Sequence, residues 1–204
     1  MIDVTEHLSK RASEPVAGWA LALSAALTIL VMAHHPTGTA HAATLGRIVH
    51  GAMMLLVVVM LAGFWRFAAA RGLDRFAVAL ALALYSAAAI GNLLAATING
   101  FVVPALLERG AYHENAALLW TLNQTFAKAA VYAISAAFAF WGADMLARGS
   151  RLTGAAGIGA GALPAALLAA GVLDMNVAGA IVIYAGQALF AALAGIYLAT
   201  RKAD

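Results

Sequence analysis

Five of the six histidines could act together as metal ligands. Four of them fall within one short segment, so the loop between two helices would hold them close together. The fifth precedes Glu114 in a later connection and could join the group. Histidine and carboxylate side chains are common ligands of zinc, copper, nickel and non-haem iron. The pattern predicts a transition-metal site, and its candidate ligands are His34, His35, His41, His50 and His113.

The histidine pattern also has other interpretations. The sequence contains no HExxH motif and no multi-histidine box of the di-iron desaturase kind. A bis-histidine haem needs two histidines that face each other across helices at one depth, so His35 would have to reach down toward His50. Alternatively, His34 and His35 are interfacial residues beside Pro36, and His41 is a solvated loop residue.

A second set of polar side chains lies inside long apolar stretches. A lysine in lipid costs about 2.5–3.5 kcal/mol on insertion scales, so we expect Lys128 to face a bundle interior or a water-filled cavity. There it could bind an anionic group or move a proton, with neutral partners such as Asn92 and Gln124. Alternatively, it snorkels or binds backbone carbonyls. The predicted ligand-binding residues are His50, Asn92, Asn99, Asn123, Gln124, Lys128 and Gln187.

The stretch that contains Lys128 also contains one acidic residue, Asp144, which we interpret as part of an ion pair. Asp144 stands four residues before Arg148, which is the spacing of an ordinary ion pair on a helix surface. We therefore expect the two residues to form an interfacial pair, with no role in the polar cavity.

The composition determines which elements position these residues. Of 204 residues, 64% are hydrophobic and only 10% are charged, and the mean hydropathy is +0.90. A soluble domain carries about 25% charged residues, so soluble enzymes, nucleic-acid-binding domains and disordered proteins are excluded. The sequence has no cysteine, which excludes disulfides, iron–sulfur clusters and thiolate metal sites. The class is an all-α, polytopic integral membrane protein in the lipid bilayer.

Six stretches are long enough to cross a bilayer, which needs roughly 20 apolar residues in a helix. The connections between them are short, so neighbouring helices should run antiparallel, up and down. We predict one domain, residues 1–204, with a short tail at 1–15. The first span is longer than the apolar core of a signal peptide and is expected to remain in the mature protein. The predicted spans are residues 16–33, 44–69, 75–103, 116–146, 152–173 and 177–199.

The basic residues are distributed unevenly between the connections. If the N-terminus is cytoplasmic, only Arg47 and Arg109 lie on the outer side, and Lys128 lies within a span. The positive-inside rule then predicts that both termini are cytoplasmic, in a bacterial-type inner or plasma membrane. The remaining nine of the twelve basic residues fall inside: Lys10, Arg11, Arg66, Arg71, Arg75, Arg148, Arg151, Arg201 and Lys202.

Two further features concern how the helices pack. Gly157 and Gly161 in the fifth span form a small-xxx-small pair, which lets two backbones approach closely within one chain or, alternatively, in a homo-oligomer. Pro104 is expected to kink or break the third helix at its outer end. The segment 101–120 should then lie along the outer surface or project beyond it.

Three functional hypotheses follow from these patterns. The first is an outward-facing polar cavity that binds or carries a small polar solute or a metal ion. The second is a membrane redox protein or enzyme with a transition metal or haem at the outer histidines. The third is a non-catalytic membrane subunit or scaffold. No catalytic constellation stands out, so the first hypothesis leads, and a nucleic-acid partner is not expected because the basic residues form no cluster.

Overall fold

The computed structural model describes the backbone of residues 4–35 and 44–201, and the side chains from Glu14 onward. Within these ranges six helical segments are long and apolar enough to cross a membrane, which confirms the predicted number of spans. The third segment, Phe76–Glu108, is built from two α-helices and a π-helical turn between them. The helices are α1 (Val4–Ala33), α2 (Leu45–Arg71), α3 (Phe76–Thr97), α4 (Val103–Glu108), α5 (Tyr112–Ala147), α6 (Arg151–Ala169) and α7 (Val177–Thr200).

Local sequence explains where several helices begin and end. Gly72 ends α2 in a left-handed conformation (φ 100°), which glycine adopts at no steric cost. Its N–H donates to the Ala68 carbonyl at 3.0 Å. Asn176 caps the start of α7, where its side-chain oxygen accepts a hydrogen bond of 2.8 Å from the Gly179 N–H.

Of the two outcomes expected at Pro104, a kink or a break, the structure contradicts the break, because the third span continues to Glu108. The chain passes through a π-helical turn at Ile98–Val102 and continues into α4. A proline has no N–H, and its ring would clash with the carbonyl four residues earlier in a regular α-helix. The wider π turn relieves that clash and keeps the helix running. Such single π turns are frequent at functional sites.

The helices pack as a ring with one helix outside it. Sequence neighbours α1 and α2, α2 and α3, and α5 and α6 contact one another, while α3 packs along α5 and α1 along α7. Contacts of α7 with α5 and α6 complete the ring, and the contact of α1 with α7 joins the first and last helices. The contact of α1 with α7 depends on glycine, because a Cβ added to Gly195 would lie only 2.6 Å from the Gly18 carbonyl oxygen.

The glycines of α6 pack against α5 of the same chain. A Cβ on Gly154 would lie 2.8 Å from the Leu146 backbone nitrogen, and one on Gly157 would lie 2.9 Å from the Gly142 Cα. A Cβ on Gly161 would collide with the Ser135 carbonyl oxygen. These contacts occupy the small-xxx-small face inside the molecule. The predicted homo-oligomer through this face has no support from the structure.

A layer of aromatic side chains lies inside the ring. Phe64, Phe67 and Trp141 are fully buried. The rings of Phe64 and Trp141 stack with centroids 4.8 Å apart, and Tyr85 and Phe138 stack beside them at 6.0 Å. This aromatic layer separates the two ends of the bundle.

The length of α6 sets a scale for the membrane. Its 19 residues span about 28 Å at 1.5 Å per residue, close to the ~30 Å hydrocarbon core of a bilayer. Gly161 lies against Ser135 and Ala139 of antiparallel α5, and α6 ends about two turns later. The end of α6 is therefore level with the residues around Lys128. The first part of α5, together with α4, extends beyond the level at which α6 ends.

The glycine contact between α5 and α6 generates a stability prediction. Gly161→Ala should lower the free energy of unfolding by about 1–3 kcal/mol, because the added methyl overlaps the α5 backbone. Gly159→Ala is the matched control in the same helix, since no atom lies within 4 Å of its added Cβ. It should change stability by less than about 0.5 kcal/mol. The thermal unfolding of both purified variants in detergent micelles measures the difference, and equal stabilities would contradict this packing.

Candidate functional site

A cavity of about 290 Å³ lies inside the helical ring. Its walls come from α1, α2, α3, α5 and α7, together with the π turn, and α6 contributes no lining residue. Trp120 and Asn176 line the cavity and are exposed, so they mark where it reaches the surface. At its other end the lining includes Tyr85 and Phe138 of the aromatic layer.

The structure brings most of the predicted ligand-binding residues together. Six of the seven come from five different elements, including the π turn, and line the same cavity. One member of the set, Lys128, does not. The lining residues among those predicted are His50, Asn92, Asn99, Asn123, Gln124 and Gln187.

The structure places Lys128 on the exposed surface of α5, which favours the snorkelling alternative over a position inside the bundle. It does not line the cavity. The reason lies in depth, because Lys128 is level with the end of α6, near the edge of a bilayer that α6 would just span. A lysine at that height can extend its ammonium group to the interface and avoid the cost of burial.

His35 and His50 are in direct contact at the cavity wall. Their Nε2 atoms are 3.2 Å apart, and their rings meet edge to face with centroids 4.9 Å apart. The His50 Nδ1–H donates to the Gly46 carbonyl oxygen at 2.8 Å, because a carbonyl can only accept. This bond leaves the Nε2 of a neutral His50 as an acceptor. Gly100 permits the arrangement, since a Cβ there would lie 2.6 Å from the His50 Cβ.

The other predicted metal ligands are not gathered at this pair. His34 is exposed, and its Nδ1 lies 2.8 Å from the Leu30 carbonyl oxygen of its own helix. His113 is exposed beside Tyr112, and His41 lies outside the described residues. Among the residues that the structure describes, no three histidine, aspartate or glutamate side chains are grouped to hold a metal ion.

Three of the polar side chains in the cavity wall tie helices together. The Asn123 Nδ2 donates to the Ala95 carbonyl oxygen of α3 at 3.0 Å. The Gln124 Nε2 donates to the Met175 carbonyl oxygen at 3.0 Å. The Tyr184 hydroxyl donates to the Asn92 Oδ1 at 3.0 Å and thereby joins α7 to α3. These bonds keep the ring at a fixed width around the cavity.

Gln187 differs from the other amides. It is 4% exposed, and its Nε2 makes one long contact of 3.5 Å with the Val131 carbonyl oxygen. Within the described part of the chain, its Oε1 is buried and has no hydrogen-bond partner. A buried acceptor without a donor costs about 1–3 kcal/mol, so such a group usually has a functional reason.

The cavity is less polar than the sequence suggests. Methionine, valine, isoleucine and alanine side chains make up much of its surface, and they surround the amides as apolar walls. Sequence reasoning missed them because apolar residues at helical spacing look like ordinary core. The predicted ligand-binding residues also do not include Tyr184, Trp120 or Asn176, which line the cavity. The apolar lining includes Met32, Met53, Val57, Met60, Ala95, Ala180 and Ile134.

Asp144 forms the expected ion pair with Arg148, but it is buried and also pairs with two arginines that the sequence spacing does not predict. Its carboxylate accepts from the Arg71 Nε at 2.6 Å and also from Arg75. The Arg148 Nε is farther away, at 3.6 Å. The arginines of α2 and of the turn after it are distant in sequence, so spacing along α5 could not reveal them.

The comparisons with known proteins leave the geometry as the guide to function. No protein-family model matches the chain, and neither curated proteins nor solved structures show a significant match.

The contrast between two glutamines in the cavity generates a prediction of opposite effects. Gln124→Met removes a hydrogen bond of good length and should lower the free energy of unfolding by about 0.5–1 kcal/mol. Gln187→Met removes an acceptor that has no donor and should leave stability unchanged or raise it by about 1 kcal/mol. The thermal unfolding midpoints of the purified variants measure both effects. Equal losses would show that the Gln187 carbonyl group has a partner.

Proposed function

We propose that the protein is a membrane-embedded binding protein for a small neutral molecule with an apolar body and a hydrogen-bond donor. The observation that carries the proposal is the Gln187 Oε1, a buried acceptor at the cavity wall without a donor in the described chain. A hydroxyl or amino group of the ligand would supply that donor. The apolar body would lie against the methionine-rich walls.

The charge of the lining supports a neutral ligand. Among the described residues, the cavity is lined by no aspartate, glutamate, lysine or arginine side chain. A charged ligand would therefore lose its hydration without gaining an ion pair, which is strongly unfavourable in an apolar surrounding. A neutral molecule loses less on entry and recovers its hydrogen bonds from the amide side chains.

The direction of access follows from the two ends of the bundle. Arg71, Arg75 and Arg148 meet at one end, and the Arg47–Glu108 ion pair of 2.7 Å lies at the other. We assign the arginine-rich end to the cytoplasm, in agreement with the positive-inside rule. The cavity mouth at Trp120 and Asn176 then opens outward, above the level at which α6 ends.

The aromatic layer makes binding from one side the simplest function. Phe64, Phe67 and Trp141 fill the ring between the cavity and the arginine-rich end. A carrier would have to separate these packed rings in every cycle, whereas a receptor, or a subunit that captures its ligand, would not. Transport thus requires a second conformation, and binding requires only this one.

Cysteine labelling tests both the cavity and the orientation, because the natural chain has no cysteine. Ala180→Cys faces the cavity, and Val182→Cys lies on the surface of the same helix, where Val182 is 57% exposed. In intact cells a charged, membrane-impermeant thiol reagent should modify the first and spare the second, because a thiol in lipid stays protonated. Two further single-cysteine variants test the orientation, Ala111→Cys in the turn after α4 and Leu73→Cys in the turn after α2. The reagent should label Ala111→Cys and leave Leu73→Cys unmodified. Failure to label Ala180→Cys would contradict a wet, outward-facing cavity.

A pair of probe molecules tests the hydrogen-bond donor. We expect 4-propylphenol to slow the labelling of Ala180→Cys about three- to tenfold more than 4-propylanisole, which lacks the hydroxyl donor, since one hydrogen bond contributes about 0.5–1.5 kcal/mol. Adding Gln187→Met should abolish the difference, whereas adding Thr121→Val, at an exposed site outside the cavity, should preserve it. Equal protection by both probes would refute the role of Gln187.

The His35–His50 pair supports a second candidate function, the binding of a transition metal. Two imidazole nitrogens on one tetrahedral zinc ion stand about 3.3 Å apart, close to the 3.2 Å observed between the Nε2 atoms. The hydrogen bond from His50 to the Gly46 carbonyl is the backbone contact that metal-binding histidines commonly make. Haem fits less well, because rings in contact leave no room for a porphyrin between them.

Metal analysis of protein purified without a histidine tag tests this candidate. If the pair holds a metal, one equivalent of zinc should be retained and His50→Gln should lower it to background. His34→Gln is the matched control, because His34 is exposed and does not line the cavity. Metal-free protein that shows no thermal shift with zinc chloride would leave the small-molecule ligand as the function of the cavity.

A further inference from the structure

A second pocket lies at the end of the bundle opposite the cavity mouth. It has a volume of about 460 Å³ and is formed where the ends of α2, α5 and α7 meet the start of α6. We call it the arginine pocket, and its lining residues are Ala70, Arg71, Arg75, Arg148, Ser150, Tyr197 and Arg201.

The pocket has more positive than negative charge. Arg71 is held in place by Asp144, by the Asp144 backbone carbonyl at 3.3 Å and by the Tyr197 hydroxyl at 3.2 Å. Its side chain is 4% exposed, and that of Asp144 is 9% exposed. Four guanidinium groups therefore lie at this pocket, and three of them, those of Arg71, Arg75 and Arg148, pair with the buried Asp144 carboxylate. No acidic residue lines the pocket in the described chain. Asp74 in the turn after α2 is exposed and does not line it.

Two of the arginines are available to a ligand. The Arg148 side chain is 56% exposed, and its Nε is 3.6 Å from Asp144, beyond hydrogen-bond distance. Arg201 is exposed and uses one nitrogen, Nη1, to donate to the Ala70 carbonyl oxygen at 2.6 Å. A guanidinium group has five N–H donors, so both side chains have further N–H groups that could donate to a ligand.

The start of α6 adds to the positive potential. Ser150 precedes the first residue of this helix, and its hydroxyl makes no capping hydrogen bond. The backbone N–H groups of a helix N-terminus carry a partial positive charge and attract anions. Ser150 lines the same pocket as the arginines, so its hydroxyl is placed to donate to a bound anion.

We propose that the arginine pocket binds the phosphate group of an anionic phospholipid. Planar guanidinium groups match phosphate oxygens in paired hydrogen bonds. The pocket lies at the ends of membrane-spanning helices, where headgroups are located, and basic pockets between such helices are typical headgroup sites. Free inorganic phosphate has the same chemistry, and the experiment separates the two sources.

The experiment uses the full chain in mixed micelles of detergent and phosphatidylcholine. Phosphatidylglycerol is titrated in, and inorganic phosphate is titrated separately at constant ionic strength, while the thermal unfolding midpoint is followed. The natural protein should be stabilised by phosphatidylglycerol with a saturating dose response. Arg148→Gln should raise the half-saturating concentration about tenfold, because it removes hydrogen bonds to a charged group.

The matched control is Arg151→Gln, which removes the same charge at the same end of the bundle. Arg151 is exposed and does not line the pocket, so this variant should respond like the natural protein. Arg201→Gln provides a second test inside the pocket and should weaken the response as Arg148→Gln does. Both pocket residues are exposed, so the variants should fold.

Each result decides the proposal. Weakening by Arg148→Gln and Arg201→Gln but not by Arg151→Gln supports it. Stabilisation by inorganic phosphate to the same extent, with no further effect of the lipid, would identify free phosphate as the ligand and overturn the lipid assignment. If all three variants responded equally to phosphatidylglycerol, the lipid would be attracted by the net positive charge of this end of the bundle, and the pocket would not be its binding site.

Discussion

The structure depends on close contact between helix backbones at glycine. In a bilayer, lipid tails compete with apolar side chains, so helices associate through tight packing and hydrogen bonds rather than through the hydrophobic effect. Gly18 and Gly195 bring α1 against α7, and Gly142 and Gly157 bring α6 against α5. Glycines also lie at the contacts of α1 with α2 and of α3 with α5, where Gly63 meets Leu21 and Gly91 meets the Phe126 carbonyl.

Polar groups inside the ring have different roles that depend on whether they find a partner. Asn123, Gln124 and Tyr184 make hydrogen bonds between elements and stabilise the ring. Gln187 retains an acceptor without a donor within the described chain, and this marks the cavity as a site where a ligand would gain free energy. Polar side chains inside the ring thus both hold the helices together and form the candidate binding site.

The two ends of the bundle differ in their electrostatics. At one end four arginines line a pocket, and the buried Asp144 carboxylate fixes two of them, Arg71 and Arg75. At the other end histidines and amides surround an uncharged cavity. The aromatic layer between them keeps the two environments apart. We propose that the cavity end binds a neutral ligand and that the arginine pocket binds a phosphate group.

The sequence alone determined the number of spans and the sorting of charge, because apolar length and arginine position are local properties. It also selected six of the residues that line the cavity, since polar side chains inside a span are rare and costly. Only the tertiary structure decided where Lys128 lies, that Asp144 pairs with arginines of distant segments, and that Gln187 lacks a donor. These facts depend on helix rotation and on which helices meet, and the uniform apolar faces of alanine-rich spans do not encode either one.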